Sequence, residues 1–259
     1  MKRNIDLDWY ENRAKSLLKS PKETDYGTFL ENISSKHLRP FLSFYELIST
    51  NIQEGSKVLE IGSGTGDHTG IILNTKAEVT ALDISPSSLQ VLRLRHPTIA
   101  RTITANMENL PFGSEEFDAV ISCASLSYGN FRLVSAEIYR VLKPGGYLIV
   151  VDTLANNPIF MLIRFRHVLL GRRSLKTLVN MPSLRCIRAL EKQYQSSTTT
   201  FFDFFFPFLG NTRNPINSIL VYPFKFLTYL NKRLENSRFR FLCHKFIFVG
   251  TKPHSNKSN

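Results

Sequence analysis

Apolar positions along this chain gather in short blocks of two kinds. Residues 57–61 (KVLEI), 78–84 (EVTALDI), 101–104 (RTIT), 117–122 (FDAVIS) and 147–151 (YLIVV) are β-branched or aliphatic runs of strand length, and they predict five strands. Between them the apolar spacing lengthens to that of a helix. Ser85-Pro86 opens one such segment with a capping hydroxyl and a proline in the first turn, and the pattern runs on through SSLQVLRLRH. A second segment, 131–142 (FRLVSAEIYRVL), stops at Lys143-Pro144-Gly145-Gly146. Strands alternating with helices predict an α/β fold around a parallel sheet with right-handed crossovers. Later in the chain, 198–206 reads as a sixth strand, with the Phe-rich run 200–208 (TFFDFFFPF) turning at Pro207, and 239–249 (FRFLCHKFIFV) as a final one.

The first strand runs into VLEIGSGTGDHT, and this loop carries the first chemical signal. Gly62, Gly64 and Gly66 form GxGxG, which is neither the GxGxxG of dinucleotide folds nor the GxxxxGK of a phosphate-binding loop. Glu60 and Asp67 flank the glycines, and two carboxylates suit a cationic ligand better than a pyrophosphate. Ligands of doubly wound sheets gather at the carboxyl ends of the strands, where this loop sits.

Glu60-x-Gly62-x-Gly64-x-Gly66, then Asp83, Asn106-Met107-Glu108-Asn109-Leu110-Pro111-Phe112, Phe117-Asp118 and Leu142-Lys143-Pro144-Gly145-Gly146 occur in unbroken order between about residues 50 and 155. Together these blocks resemble the class I S-adenosylmethionine-dependent methyltransferases, in the branch of small-molecule and quinone methylases. The resemblance implies a Rossmann-like, doubly wound, seven-stranded sheet, with a mainly helical basic insertion before strand six. It divides the chain into an N-terminal helical lid (1–50), a cofactor-binding half (51–155), and a substrate side holding the insertion and the last strands (156–259). It implies S-adenosylmethionine as cofactor, which carries a sulfonium and no phosphate. Gly62, Ser63, Gly64 and Gly66 would form the loop around its amino-acid part, with Glu60 beneath the loop bonding its amides or, through water, the ligand ammonium; Asp83 would accept the ribose hydroxyls, and Ile84 would cover the adenine. Asn106 stands where the branch usually has an acid, and its amide oxygen is expected to face the adenine amino group, with Met107 and Cys123 nearby. A helix-capping role for Asp83 is the competing structural reading.

Methyl transfer onto an activated methyl needs mainly alignment, so few catalytic side chains are expected. For a hydroxyl acceptor the candidate bases are His37, in the expected lid, and Tyr128, with packing or surface roles as their bland counterparts. His68 reads as the start of a helix.

Charge alters the picture for the second half. Residues 1–152 hold 16 Lys+Arg against 18 Asp+Glu, whereas 153–259 hold 17 against 3, so the net +12 belongs to the C-terminal part. An anionic partner of that part is expected, against a basic surface that serves only solubility. Asn157, Arg164, Arg172 and Arg173 are the candidate acceptor-binding residues, because an arginine fork takes phosphate or carboxylate in two-pronged fashion. Asp152-Thr153-Leu154, Asn157-Pro158, Gly171-Arg172-Arg173 and Met181-Pro182 resemble a segment of methyltransferases from bacterial surface-polysaccharide clusters, which implies a sugar acceptor on a nucleotide or lipid-pyrophosphate carrier. Residues 158–173 and 219–233 mix bulky apolar residues with cations, as interfacial helices do, so an anionic membrane surface is a second expected partner, with a roof over the site as the alternative.

Other classes are weighed against these. Ser122-Cys123-Ala124-Ser125 stands where base amino-group methylases carry Asn/Asp-Pro-Pro-aromatic, so nucleic acid is not expected. Cys123, Cys186 and Cys243 are far apart and suggest neither a metal site nor a disulfide framework. The charged start of the sequence and the lack of a long apolar run predict a cytoplasmic protein, peripheral at the inner membrane face if it touches one. A non-catalytic relative that binds an anionic partner or membrane is the alternative function, and an NAD(P)-dependent oxidoreductase is the third, opposed by the glycine spacing.

Overall fold

A computed structural model of the 259-residue chain describes residues 5–19, 38–203, 230 and 232–254. In chain order the elements are α1 (Ile5–Lys19), α2 (Leu38–Asn51), β1 (Lys57–Ile61), α3 (Thr69–Leu73), β2 (Glu78–Asp83), α4 (Pro86–Arg95), β3 (Arg101–Thr104) and β4 (Phe117–Cys123). They continue with a 3₁₀ turn at Leu126–Tyr128, α5 (Phe131–Val141), β5 (Leu142–Thr153), α6 (Pro158–Leu169), α7 (Leu175–Val179), α8 (Leu184–Gln193), β6 (Gln195–Phe202), a second 3₁₀ turn at Arg240–Leu242, and β7 (Lys245–Thr251).

The seven strands form one sheet in the order β3-β2-β1-β4-β5-β7-β6, parallel from β3 to β5, with β7 antiparallel to both β5 and β6. Central strands covered on both faces bury consecutive residues, as Val58–Ile61 of β1 and Ala119–Ser122 of β4 do here. Their side chains alternate between two cores. Leu59 and Ile61 join Val134, Ile138 and Val141 of α5 and Ile187 and Leu190 of α8 on one face. Val58 joins Phe41, Phe44 and Ile48 of α2 and Ile72 of α3 on the other.

The helix starts are fixed by side-chain caps. Ser85 Oγ accepts from the Ser88 amide with Pro86 in the first turn of α4, Asn130 Oδ1 accepts from Arg132 ahead of α5, and Asn157 Oδ1 accepts from Phe160 with Pro158 opening α6. The insertion before strand six consists of α6, α7 and α8, as expected. Helix α1 crosses the strand tips and is tied to α4 by Glu11, whose carboxylate accepts from Ser85 Oγ at 2.5 Å and from Ser87 Oγ at 2.6 Å.

Three strand starts differ from the sequence expectation. β5 begins at Leu142 rather than at 147, because the Gly145-Gly146 backbone pairs with Lys252 and prolongs the strand. β6 starts three residues early, at Gln195, and ends at Phe202 within the Phe-rich run. β7 starts at Lys245, with 240–242 in a 3₁₀ turn instead of a strand. The Pro207 turn and most of 219–233 lie outside the described residues, as does His37.

Candidate functional site

The loop after β1 makes its turn with three glycines at positive φ. Gly62 (φ +66) donates its amide to Leu82 O at 2.8 Å, and a Cβ there would stand 2.3 Å from Ser125 Cβ, so only glycine fits. Gly64 (φ +55) faces open space and donates its amide to Asp83 Oδ2 at 2.8 Å. The other oxygen of that carboxylate accepts from the Ser85 amide at 2.9 Å. Asp83 therefore joins the tip of β2 to both the glycine loop and the start of α4. Burial raises its pKa, and the amides of Ser85, Gly64 and Ile84 oppose that rise by favouring the ionised form. A carboxylate offers about four acceptor sites, more than these amides fill, so it can accept from a further donor.

These elements enclose a cavity of about 550 Å³, within the size range of small-molecule sites. Gly62, Ser63, Gly64, Asp83, Ile84, Asn106, Met107 and Cys123 all line it. Asn106 Oδ1 already accepts from the Glu108 amide at 3.0 Å, which fixes the amide orientation and leaves one lone pair. Cys123 is held as a thiol by burial, its pKa pushed well up.

Glu60 and Gly66 stand behind the loop rather than on the cavity wall. Glu60 is buried and accepts from Thr69 Oγ1 at 2.6 Å, where it was expected to bond loop amides or a ligand ammonium. Its pKa is raised to about 8 by burial, opposed by the Thr69 hydrogen bond. Gly66 O meets the His96 ring at 2.8 Å. Asp67 lines the cavity, with its carboxylate bound by Arg95 at 2.5 Å and Arg13 lying 3.9 Å away.

The residues that form the second side of the cavity are not singled out by any pattern in the sequence. Ile5, Asp6, Leu7, Tyr10 and Arg13 of α1 and Ser174, Lys176 and Thr177 at the start of α7 also line it. Tyr10 Oη and Tyr128 Oη are 2.7 Å apart, and Arg173 Nη1 donates to Tyr128 Oη at 2.8 Å. Tyr128 lines the cavity; burial and the neighbouring tyrosine push its pKa far up against the opposing pull of Arg173, and its hydroxyl is engaged as a fastening by Tyr10 and Arg173. His68 also lines the cavity, at the N-cap of α3, with Nδ1 2.8 Å from Tyr45 Oη. Burial lowers its pKa to about 4, so it is neutral at pH 7.

A larger and more open groove of about 1140 Å³ lies on the other side of α1. Arg164, Arg172 and Arg173 line it together with Trp9, Phe160 and His167. Asn157 lines neither space. Its oxygen caps α6 and its nitrogen donates to Leu242 O at 2.6 Å, so an acceptor-binding role is replaced by a structural one. Among the described residues, no His/Cys/Asp/Glu group is arranged to hold a metal ion, and no helix is long and apolar enough to cross a membrane.

Residues 59–150 match the family model described as "Methyltransferase domain". The chain is similar to the phthiotriol/phenolphthiotriol dimycocerosates methyltransferase of Mycobacterium tuberculosis, at 35% identity over 126 residues, covering 47% of this chain and 47% of that one. It is also similar to the demethylmenaquinone methyltransferase of Tropheryma whipplei, at 38% over 104 residues, covering 39% of this chain and 43% of the other. The matches thus span less than half the length of these relatives. Among solved structures, Haemonchus contortus phosphoethanolamine N-methyltransferase 2 in complex with S-adenosyl-L-methionine superposes with a TM-score of 0.57 at 16% identity, covering 93% of this chain and 60% of that one.

Proposed function

We infer, for a chain that belongs to the class I S-adenosylmethionine-dependent methyltransferases, that it binds this cofactor in the 550 Å³ cavity and moves its methyl group to a small-molecule, sugar or lipid-linked acceptor. The observation that carries the reading is Asp83, whose carboxylate stands on the cavity wall beside a glycine loop that a Cβ at Gly64 would narrow. When bound, the cofactor supplies a methyl group on a sulfonium, already activated toward a nucleophile. The residues of this chain supply placement. Gly62 and Gly64 allow close backbone approach, Asp83 offers its free lone pairs to hydroxyl donors, Ile84 offers an apolar face, and α1 covers the opening and excludes water.

The two curated relatives are named for a dimycocerosate and a quinone acceptor, which supports a small molecule over nucleic acid as the acceptor here. A peripheral contact with an anionic membrane surface belongs to the same proposal. Leu162 and Leu169 of α6 are 69% and 71% exposed, and Arg166 and Arg172 are exposed beside them. Sedimentation with anionic vesicles at low salt tests that contact, and its absence there rejects it.

The cofactor reading is tested by ligand-induced stabilisation. S-adenosylmethionine at 100 times its dissociation constant is expected to add about 2.7 kcal/mol, and Asp83→Ala to remove most of that increment. The variant also loses the Gly64 and Ser85 hydrogen bonds, so the comparison is between increments and not between absolute midpoints. A larger increment from NAD would favour an oxidoreductase and overturn the reading. A cofactor increment without turnover on any acceptor would favour a non-catalytic binding protein.

A further inference from the structure

We propose that the 1140 Å³ groove seats the anionic end of the methyl acceptor, a phosphate or diphosphate group held chiefly by Arg164 and Arg172. The role of the bound molecule as acceptor rests on the methyltransferase reading, whereas the anion site stands on the groove alone.

The three groove arginines differ in what they already do. Arg173 is engaged: it donates to Tyr128, lies 3.9 Å from Asp6 and sits over the Trp9 ring at 5.3 Å. Arg164 is half-buried, and among the described residues its Nε is buried without a hydrogen-bond partner. Its guanidinium lies over the Phe160 ring at 5.4 Å. Burial and the nearby Arg173 lower its pKa, against the opposing pull of Tyr128 and Asp152. Withdrawing a guanidinium from water without a partner is costly, and a doubly acceptor-rich phosphate is the ligand that repays it. Arg172 is exposed on the turn after Gly171, placed to close on the same anion from outside. His167 lies one helical turn from Arg164 on the same face of α6 and also lines the groove. Among the described lining residues Asp8 is the single acid, so the groove is basic in sum.

Position links this site to the cavity. Ile5 of α1 lines both spaces, and Tyr10, Tyr128 and Arg173 stand between them. An anion at Arg164 thus leaves the remainder of the molecule free to extend toward Tyr128 and the cofactor chamber. On the outer side the groove adjoins the exposed apolar residues of α6, including Ile163, which lines it. The same headgroup chemistry can come from a soluble phosphate ester or from a lipid whose chain rests on those residues.

The test is calorimetric titration of the full chain, saturated with S-adenosylhomocysteine, with inorganic diphosphate and with farnesyl diphosphate. Both are expected to bind, and the Arg164→Gln/Arg172→Gln pair to weaken both by roughly tenfold or more, with S-adenosylhomocysteine affinity unchanged. Arg188→Gln/Lys192→Gln, exposed on α8 away from the groove, controls for general attraction to a basic protein and is expected to leave binding intact. Tighter binding of the farnesyl compound assigns the headgroup to a lipid, and equal binding assigns it to a soluble ester. No binding of either compound, or equal loss in the control pair, overturns the anion site. Failure of S-adenosylhomocysteine to bind the wild-type chain would instead strike the methyltransferase reading. In that case diphosphate binding to the chain alone would still decide the anion site.

Discussion

Tyr10 and Tyr128, 118 positions apart, share a hydrogen bond of 2.7 Å that fastens the first helix to the 3₁₀ turn at the wall of the cavity. Tyr10→Phe is expected to cost about 0.5–1.5 kcal/mol of helix closure and to speed amide exchange in α1 without altering exchange in the central strands. Tyr128→Phe is expected to cost more, because Arg173 then also loses its acceptor. Unchanged α1 protection in both variants would show that the pair holds nothing shut.

Gly62 and Gly64 are expected to respond differently to alanine. At Gly62 the added carbon meets Ser125 at 2.3 Å in a left-handed backbone, so strain and overlap together are expected to cost about 2–5 kcal/mol of stability. At Gly64 nothing lies within 4 Å, so Gly64→Ala is expected to cost only about 1–2 kcal/mol of backbone strain. Its larger effect falls on cofactor affinity, since the new methyl enters the cavity. Denaturant midpoints and cofactor titrations on the two variants separate these effects, and equal stability loss at both sites would refute the distinction.

Glu60 sets a pH dependence whose sign is fixed by its burial. Its folded pKa of about 8 lies above the ordinary 4.5, so between these values the native state holds a proton that the unfolded chain has lost. Its contribution is therefore fully present below pH 4.5 and is lost as pH rises toward 8. Glu60→Gln keeps an acceptor for Thr69 and removes the titration. The variant is expected to be more stable than wild type at about pH 9, with the advantage vanishing near pH 4. A difference that does not change with pH would exclude this account.

Glu11 works in the opposite direction. Burial pushes its pKa up, but the hydrogen bonds from Ser85 and Ser87 pull it below the ordinary value on balance. The tether it makes is thus present above pH 4.5 and is lost as pH falls through the depressed folded value. Protection factors in α1, corrected for the intrinsic pH dependence of amide exchange, are expected to fall on acidification in the wild-type chain and to be low and pH-insensitive in Glu11→Ala.

The cofactor half was legible because its signals are local. Parallel strands buried on both faces leave continuous apolar runs, Ser85-Pro86 announces α4, and the glycine loop needs positive φ within five residues. Asn157-Pro158 carries the same opening signal as Ser85-Pro86, and its capping role was readable but was obscured by the basic context. What stayed hidden depends on distance in sequence. The Asp67–Arg95 pair, the Glu11 tether and the tyrosine fastening join residues that no spacing rule relates, and each changes the meaning of a charged or polar side chain. The β7 boundary was missed because aromatic density is similar in the 3₁₀ turn and in the strand behind it.

Helix α1 is a partition with a chamber on either side, and this ties the filling of one to the state of the other. In the proposed reading, a molecule resting against Trp9 and Arg173 in the groove would brace the helix in place, and the donor, or its spent form, would be held until that molecule departs. For the proposed transfer this favours a compulsory sequence of traffic: donor first in, acceptor second, methylated product first out, and the demethylated donor last.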